Sequence, residues 1–201
     1  MTRDTERHPL EPFLPEKAKI LMLGSFPPKR ERWSMEFFYP NFNNDMWRIA
    51  GLAFFSDKDH FVLKSADGKP LKKFDREKIV RFCEEKGIAL YDTASQVRRL
   101  KDNASDKFLE IVVPTDIPAL LRRIPECHAV VVTGEKAAET VLLSLTDGSH
   151  SVPRIGTCEK FEFGGRTMHL YRMPSSSRAY PLALEKKAAF YGNMFSETGL
   201  L

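Results

Sequence analysis

The sequence predicts an α/β fold: three layers, α/β/α, with a mainly parallel central sheet. Three observations carry that expectation. Ala18–Leu23, Ile88–Tyr91 and Ala129–Val132 are short apolar runs of the length and character of strands buried on both faces. The segments between them place apolar residues at helical spacing. The first and third runs stop at glycines, Gly24 and Gly134, where a chain leaves a sheet for a loop. Strands alternating with helices build a parallel sheet with helices on both faces.

The elements follow in order. Ala18–Leu23 is a strand ending at Gly24, and Ser25-Phe26-Pro27-Pro28 cannot extend it, because proline lacks the ladder donor. From Lys29 to Asn44 the chain is aromatic and irregular, and Asp45–Phe55 is helical with Trp47, Ile49 and Leu52 as apolar positions. Asp75 caps a helix over Arg76–Lys86 that buries Ile79, Phe82 and Cys83 and stops at Gly87. Ile88–Tyr91 is the second strand, and Thr115 or Asp116 caps a short helix to about Ile124. Ala129–Val132 is the third strand, followed by a helix over Glu135–Leu145 and a flexible loop over Thr146–Pro153. Lys160–Phe163 and Arg166–Tyr171 flank Gly164-Gly165 as a β-hairpin, and Pro181 opens a last helix to about Phe195.

Length and composition limit the function classes. At 201 residues the chain fits one domain, 1–201, with no staple needed for its core. Lys and Arg number 31 against 27 Asp and Glu, a mild excess that permits a polyanionic partner without demanding one. Cys83, Cys127 and Cys158 are odd in number, widely spaced and form no CxxC pair, which argues against a disulfide framework or a metal cluster. The N-terminal segment has no apolar signal region and no run reaches membrane-spanning length, so a cytoplasmic protein away from membranes is expected.

Ligands of parallel α/β sheets sit outside the carboxyl ends of the strands. Two segments fall there. In the first, Gly24, Ser25, Phe26 and Pro27 give close backbone approach and a stiff turn, and Phe37, Phe38, Tyr39, Phe42 and Trp47 offer faces for stacking a base. Asn41, Asn43 and Asn44 each carry a donor and an acceptor. In the second, Pro174, Ser175, Ser176 and Ser177 present hydroxyls and N–H groups ahead of a helix, with Arg178 adding charge for a phosphate. Taken singly, the first segment reads equally as a loop anchored by core aromatics and the second as a plain helix cap.

Together and in order, these motifs resemble the uracil-DNA glycosylase superfamily, and within it the branch of hypoxanthine-type and mismatch-type glycosylases. The resemblance rests on Gly24-Ser25-Phe26-Pro27, on Tyr39-Pro40-Asn41-Phe42-Asn43-Asn44-Asp45-Met46-Trp47, and on Pro174-Ser175-Ser176-Ser177. Gly87–Asp92 and Val132–Ala137 resemble two further core segments, so it spans about Ala18 to Phe195. It implies a monomeric, monofunctional DNA glycosylase of base excision repair, without cofactor or metal. Such an enzyme flips a deaminated base of the uracil or hypoxanthine class out of DNA and hydrolyses its N-glycosidic bond. It further implies Asn44, or else Asn43, as the residue handling the water or the base. Gly24, Ser25, Phe26, Pro27, Tyr39 and Trp47 would surround the base. Pro174, Ser175, Ser176, Ser177 and Arg178 would hold DNA.

Two departures stand out. Phe26 occupies the place where the uracil enzymes carry a water-handling Asp or Asn, and Met173 the place of a base-contacting His or Asn. Both favour modest catalysis, or the alternative of a catalytically inactive DNA-binding member of the same fold. Other enzyme classes lack support: there is no GxxxxGK[ST] or GxGxxG loop, and the five histidines show no zinc-ligand spacing. A partner-binding protein with exposed aromatics would, unlike a DNA binder, be indifferent to salt.

Overall fold

The three apolar runs hydrogen-bond side by side. The computed structural model describes residues 5–100, 109–148 and 150–201. Residues 1–4 of the N-terminal segment and Ser149 of the expected 146–153 loop lie outside that description. The strands are β1 (Glu6–Arg7), β2 (Ile20–Gly24), β3 (Val62–Lys64), β4 (Pro70–Phe74), β5 (Ile88–Asp92), β6 (Ala94–Arg99), β7 (Leu109–Pro114), β8 (Ala129–Thr133), β9 (Thr157–Phe163) and β10 (Arg166–Met173). The helices are α1 (Met46–Phe55), α2 (Arg76–Lys86), α3 (Ile117–Arg123), α4 (Glu135–Leu145) and α5 (Leu184–Glu197).

The main sheet runs β5-β2-β8-β10-β9. Its first four strands are parallel, and β9 closes the edge as the antiparallel arm of the Gly164-Gly165 hairpin. Every residue of β2 and β5 is buried, which is why these strands read as unbroken apolar runs without alternation. The fold class expected from sequence is the one observed.

Local chemistry accounts for the helix ends. The Asp75 carboxylate accepts the Lys78 N–H, and Gly87 (φ 72°) closes α2 in the left-handed conformation. Asp116 caps α3 through the Ala119 N–H. The last helix starts at Leu184, three residues beyond Pro181, because Tyr180 and Leu182 donate to Ser177 and Tyr180 in a preceding turn. Two small sheets were not expected: β1-β6-β7 and the β3-β4 hairpin.

From β2 the chain crosses to β5 on one side, then returns past β2 to β8 on the other. With right-handed crossovers, successive connections leave for opposite faces and part above β2. The crevice so formed lies at the strands' carboxyl ends.

Candidate functional site

A cleft of about 600 Å³ opens at that switch point, a volume suited to a small-molecule-sized group. Its walls come from the ends of four parallel strands. Gly24–Pro28 follows β2, Asp92 ends β5, Thr133 ends β8, and Ser175–Ala179 follows β10. The irregular loop before α1 supplies Phe38–Asn41, Asn43 and Asn44. Two segments more than 130 residues apart in sequence thus face each other.

Backbone hydrogen bonds join them directly. Asn44 and Ser177 form an antiparallel bridge, and the Asp45 N–H donates to the Ser176 carbonyl at 2.8 Å. Behind this bridge the buried Asp45 carboxylate accepts from Lys187 Nζ and Arg178 Nε, each at 3.2 Å. Lys187 also donates to the Ser177 carbonyl at 2.8 Å, so one ammonium on α5 grips both loops. Its side chain is 1 % exposed, whereas that of Arg178 is 50 % exposed.

Side-chain amides shape the asparagine loop. Asn41 Oδ1 accepts the Asn43 N–H, and Asn44 Oδ1 accepts the Met46 N–H, both at 2.9 Å. These Asx turns commit the oxygens to the backbone and leave the Asn44 amide nitrogen as a donor at the cleft wall. Arg48 donates to the Phe42 and Asn44 carbonyls while its guanidinium lies 4.3 Å from the Phe42 ring centroid. Burial and the Arg178 charge lower its pKa from the usual arginine range, with Asp45 and Asp59 opposing. Tyr39 adopts φ 50°, a left-handed conformation that a bulky side chain holds only under constraint. Burial, then Tyr191 and Asp92, push its hydroxyl well above the ordinary phenol range, so it stays a neutral donor.

The serine loop is similarly self-bonded. Ser175 Oγ accepts the Ser177 N–H, and Ser177 Oγ the Ala179 N–H. The hydroxyl protons remain available to a ligand oxygen.

Four of the residues expected to touch a ligand do not line the cleft: Phe37 lies in the core and Phe42 packs against it, and Trp47 and Pro174 are buried as well. Trp47 is 3 % exposed and donates Nε1–H to the Phe38 carbonyl, supporting the wall from beneath. It sits on the inward face of α1, where its apolar area is better buried than displayed. Pro174 is buried, with its carbonyl accepting the Tyr191 hydroxyl at 3.0 Å. Gly24, Ser25, Phe26, Pro27, Tyr39, Asn43, Asn44, Ser175, Ser176, Ser177 and Arg178 all line it. Met173 is 1 % exposed and faces the core.

Sequence reasoning missed Asp92, His8, Asp45 and Lys187. Asp92 was open to detection, since it ends the strand adjacent to Gly24. Its Oδ2 lies 2.8 Å from His8 Nε2, an 84-residue separation that no local pattern reveals. Among the described residues no group of three His, Cys, Asp or Glu is placed to hold a metal ion, and no helix is long and apolar enough to cross a membrane.

A solved structure of comparable size superposes on this architecture: the solution NMR structure of a candidate uracil DNA glycosylase from Methanosarcina acetivorans. The TM-score is 0.63 over 98% of this chain and 99% of that one, at 20% sequence identity. The fold is uracil-DNA-glycosylase-like. No protein-family model matches the chain, and no curated protein sequence does. In the glycosylase-like fold the strands' carboxyl ends form the floor of the cleft, and the two bridged loops form its rim.

Proposed function

We propose that the chain is a monomeric, cytoplasmic, monofunctional DNA glycosylase, acting as one domain on a flipped-out deaminated base of the uracil or hypoxanthine class. The observation that carries this reading is the convergence of the Gly24–Pro28, Tyr39–Asn44 and Ser175–Arg178 segments on one cleft at the carboxyl ends of the parallel strands. The cleft combines aromatic walls for a planar base with Arg32 and Arg178 for the flanking phosphates.

In the reaction, water oxygen attacks C1′ as the C1′–N bond breaks, and the base leaves with the bonding electrons and acquires a proton. The sugar passes through oxocarbenium character. Asn44 is the residue assigned to the leaving base. With Oδ1 bonded to Met46 N–H, its NH2 group donates to the base as negative charge builds there. Asn43 is the second choice, since its Oδ1 faces Arg178 at 3.4 Å. Ser175, Ser176, Ser177 and Arg178 hold the phosphates beside the flipped nucleotide. Phe26 and Tyr39 cover the faces of the base.

The test is base release from oligonucleotides carrying uracil, hypoxanthine or xanthine, single-stranded and mispaired, with Asn44→Ala alongside. Release lost in the variant supports the reading. Salt-sensitive DNA binding without release from any substrate supports the second reading, an inactive DNA-binding member of the fold. That reading draws on Phe26, which has no polar atom for a water, and on the buried Met173.

A further inference from the structure

The β3–β4 hairpin is an arm with little core of its own. Phe61, Val62 and Phe74 are buried and fix its base, while residues 66–73 are exposed without a break. A two-stranded hairpin standing alone in water is marginally stable at best, so those three anchors hold it in place. Its charge is lopsided. Lys64, Lys69, Lys72 and Lys73 stand against one acid, Asp67. Asp67 is bound near the tip by Lys69 Nζ at 2.9 Å. Lys64, Lys72 and Lys73 make no ion pair among the described residues. The strand pairing passes from Val62–Phe74 to Lys64–Pro70, so the irregularity falls on Leu71–Lys73. Bulges of this kind twist a ribbon and re-aim its side chains.

The arm springs from behind the cleft wall. The Phe74 ring lies 5.0 Å from that of Phe42, centroid to centroid. The Arg48 guanidinium sits against both rings, 4.3 Å from Phe42 and 5.2 Å from Phe74. In sequence Phe42 stands between Asn41 and Asn43, and both of these line the cleft. Lys73 and Lys72 are one and two residues from Phe74, within roughly 7 Å of it along an extended strand. A row of unpaired cations thus begins where the rim of the cleft is anchored. Duplex DNA carries a charge for about every 1.7 Å of its axis, and its major groove admits a two-stranded β-ribbon.

We propose that the β3–β4 arm is a second DNA-binding surface, on which Lys64, Lys72 and Lys73 grip phosphates of the duplex flanking a nucleotide held in the cleft. The lysines supply affinity and no sequence preference, because phosphate contacts position and base contacts specify. Lysines on an open strand also keep it from pairing with another chain, a role that needs the charge and is blind to DNA. The inference rests on the glycosylase reading for the choice of DNA as the polyanion, and adds where the duplex runs.

The experiment compares the wild-type protein with two triple variants, Lys64→Gln/Lys72→Gln/Lys73→Gln and Lys64→Arg/Lys72→Arg/Lys73→Arg. Equilibrium binding to a duplex of about three helical turns, with and without a central hypoxanthine, is measured across a salt series. The glutamine variant should lower the log–log salt slope by about 2 to 3, near 0.9 for each lost phosphate contact, and the arginine variant should keep it. Both should hold the wild-type Tm within a few degrees, since the three positions are exposed. Where hypoxanthine is released, the glutamine variant should raise KM and leave kcat unchanged, which separates the arm from the cleft. A glutamine variant with the wild-type slope overturns the proposal, and one that also aggregates assigns the lysines to guarding the strand edge. An arginine variant that loses the slope as well overturns it too. Absence of release together with a slope lowered by glutamine alone sinks the hydrolytic reading and leaves the arm standing.

Discussion

Asp45 meets two cations in opposite surroundings, and they should differ sharply when removed. Lys187→Met deletes an ammonium that is 1 % exposed and leaves a carboxylate 8 % exposed with only the half-solvated Arg178 for company. Breaking a buried pair costs about 3–5 kcal/mol, and the remaining Arg178 contact places this case near 3 kcal/mol. For a chain of this size that lowers Tm by roughly 6–12 °C. Arg178→Ala removes a partner of the same carboxylate from a side chain 50 % exposed and should cost no more than about 1 kcal/mol. Replacing both buried members, Asp45→Leu with Lys187→Met, should restore part of the loss, since no charge is then stranded. Thermal unfolding of the four proteins at one pH and salt concentration decides the matter. A Lys187→Met protein no less stable than Arg178→Ala, or a double variant no better than Lys187→Met alone, would refute the assignment of a buried clamp.

Further outcomes follow from other parts of the fold. Gly24→Ala, which drives a Cβ into the place of Asp92 Oδ1, should displace that buried carboxylate from His8 and lower both Tm, read by thermal unfolding, and DNA affinity, read by fluorescence titration. Asp75→Ala should lower stability by about 1 kcal/mol through loss of the Lys78 N–H cap, measured by urea unfolding. Burial raises the Cys127 thiol to about 12 from 9.0. The folded state keeps it neutral, whereas the unfolded chain ionises above about pH 9, so its contribution is present below that pH and lost as pH rises beyond it. Tm recorded between pH 7 and 10.5 should therefore fall on the alkaline side, less steeply in Cys127→Ala. Finally, DNA affinity should fall with salt, and Arg178→Ala should flatten the log–log slope by about 1 if the guanidinium meets a phosphate.

The features legible in the sequence are those whose cause is local. Asp75 and Gly87 bracket α2 because a carboxylate cap and a left-handed stop act within one turn. Gly164-Gly165 announces its hairpin for the same reason, with φ 60° and 75° at the two residues. β4 was missed because Pro70–Lys73 is exposed throughout and shows no alternation for a reader to find. β6 was missed because its apolar partners, Phe26 among them, lie in distant segments. The two site loops were legible as motifs, and their joining by the Asn44–Ser177 bridge was not. Trp47 illustrates a different limit: a large aromatic gains from burial in a core and from stacking a ligand alike, so its identity does not tell which face of the wall it occupies.

The Lys187 clamp also orders events in time. Synthesis runs from the amino end, and the GSFPP turn and the asparagine loop emerge long before α5. Until Lys187 arrives, the Asp45 carboxylate lacks its buried cation and the Ser177 carbonyl its donor. A chain without this helix lacks the ammonium that joins the two loops. The rim of the cleft is therefore completed only when the last helix docks.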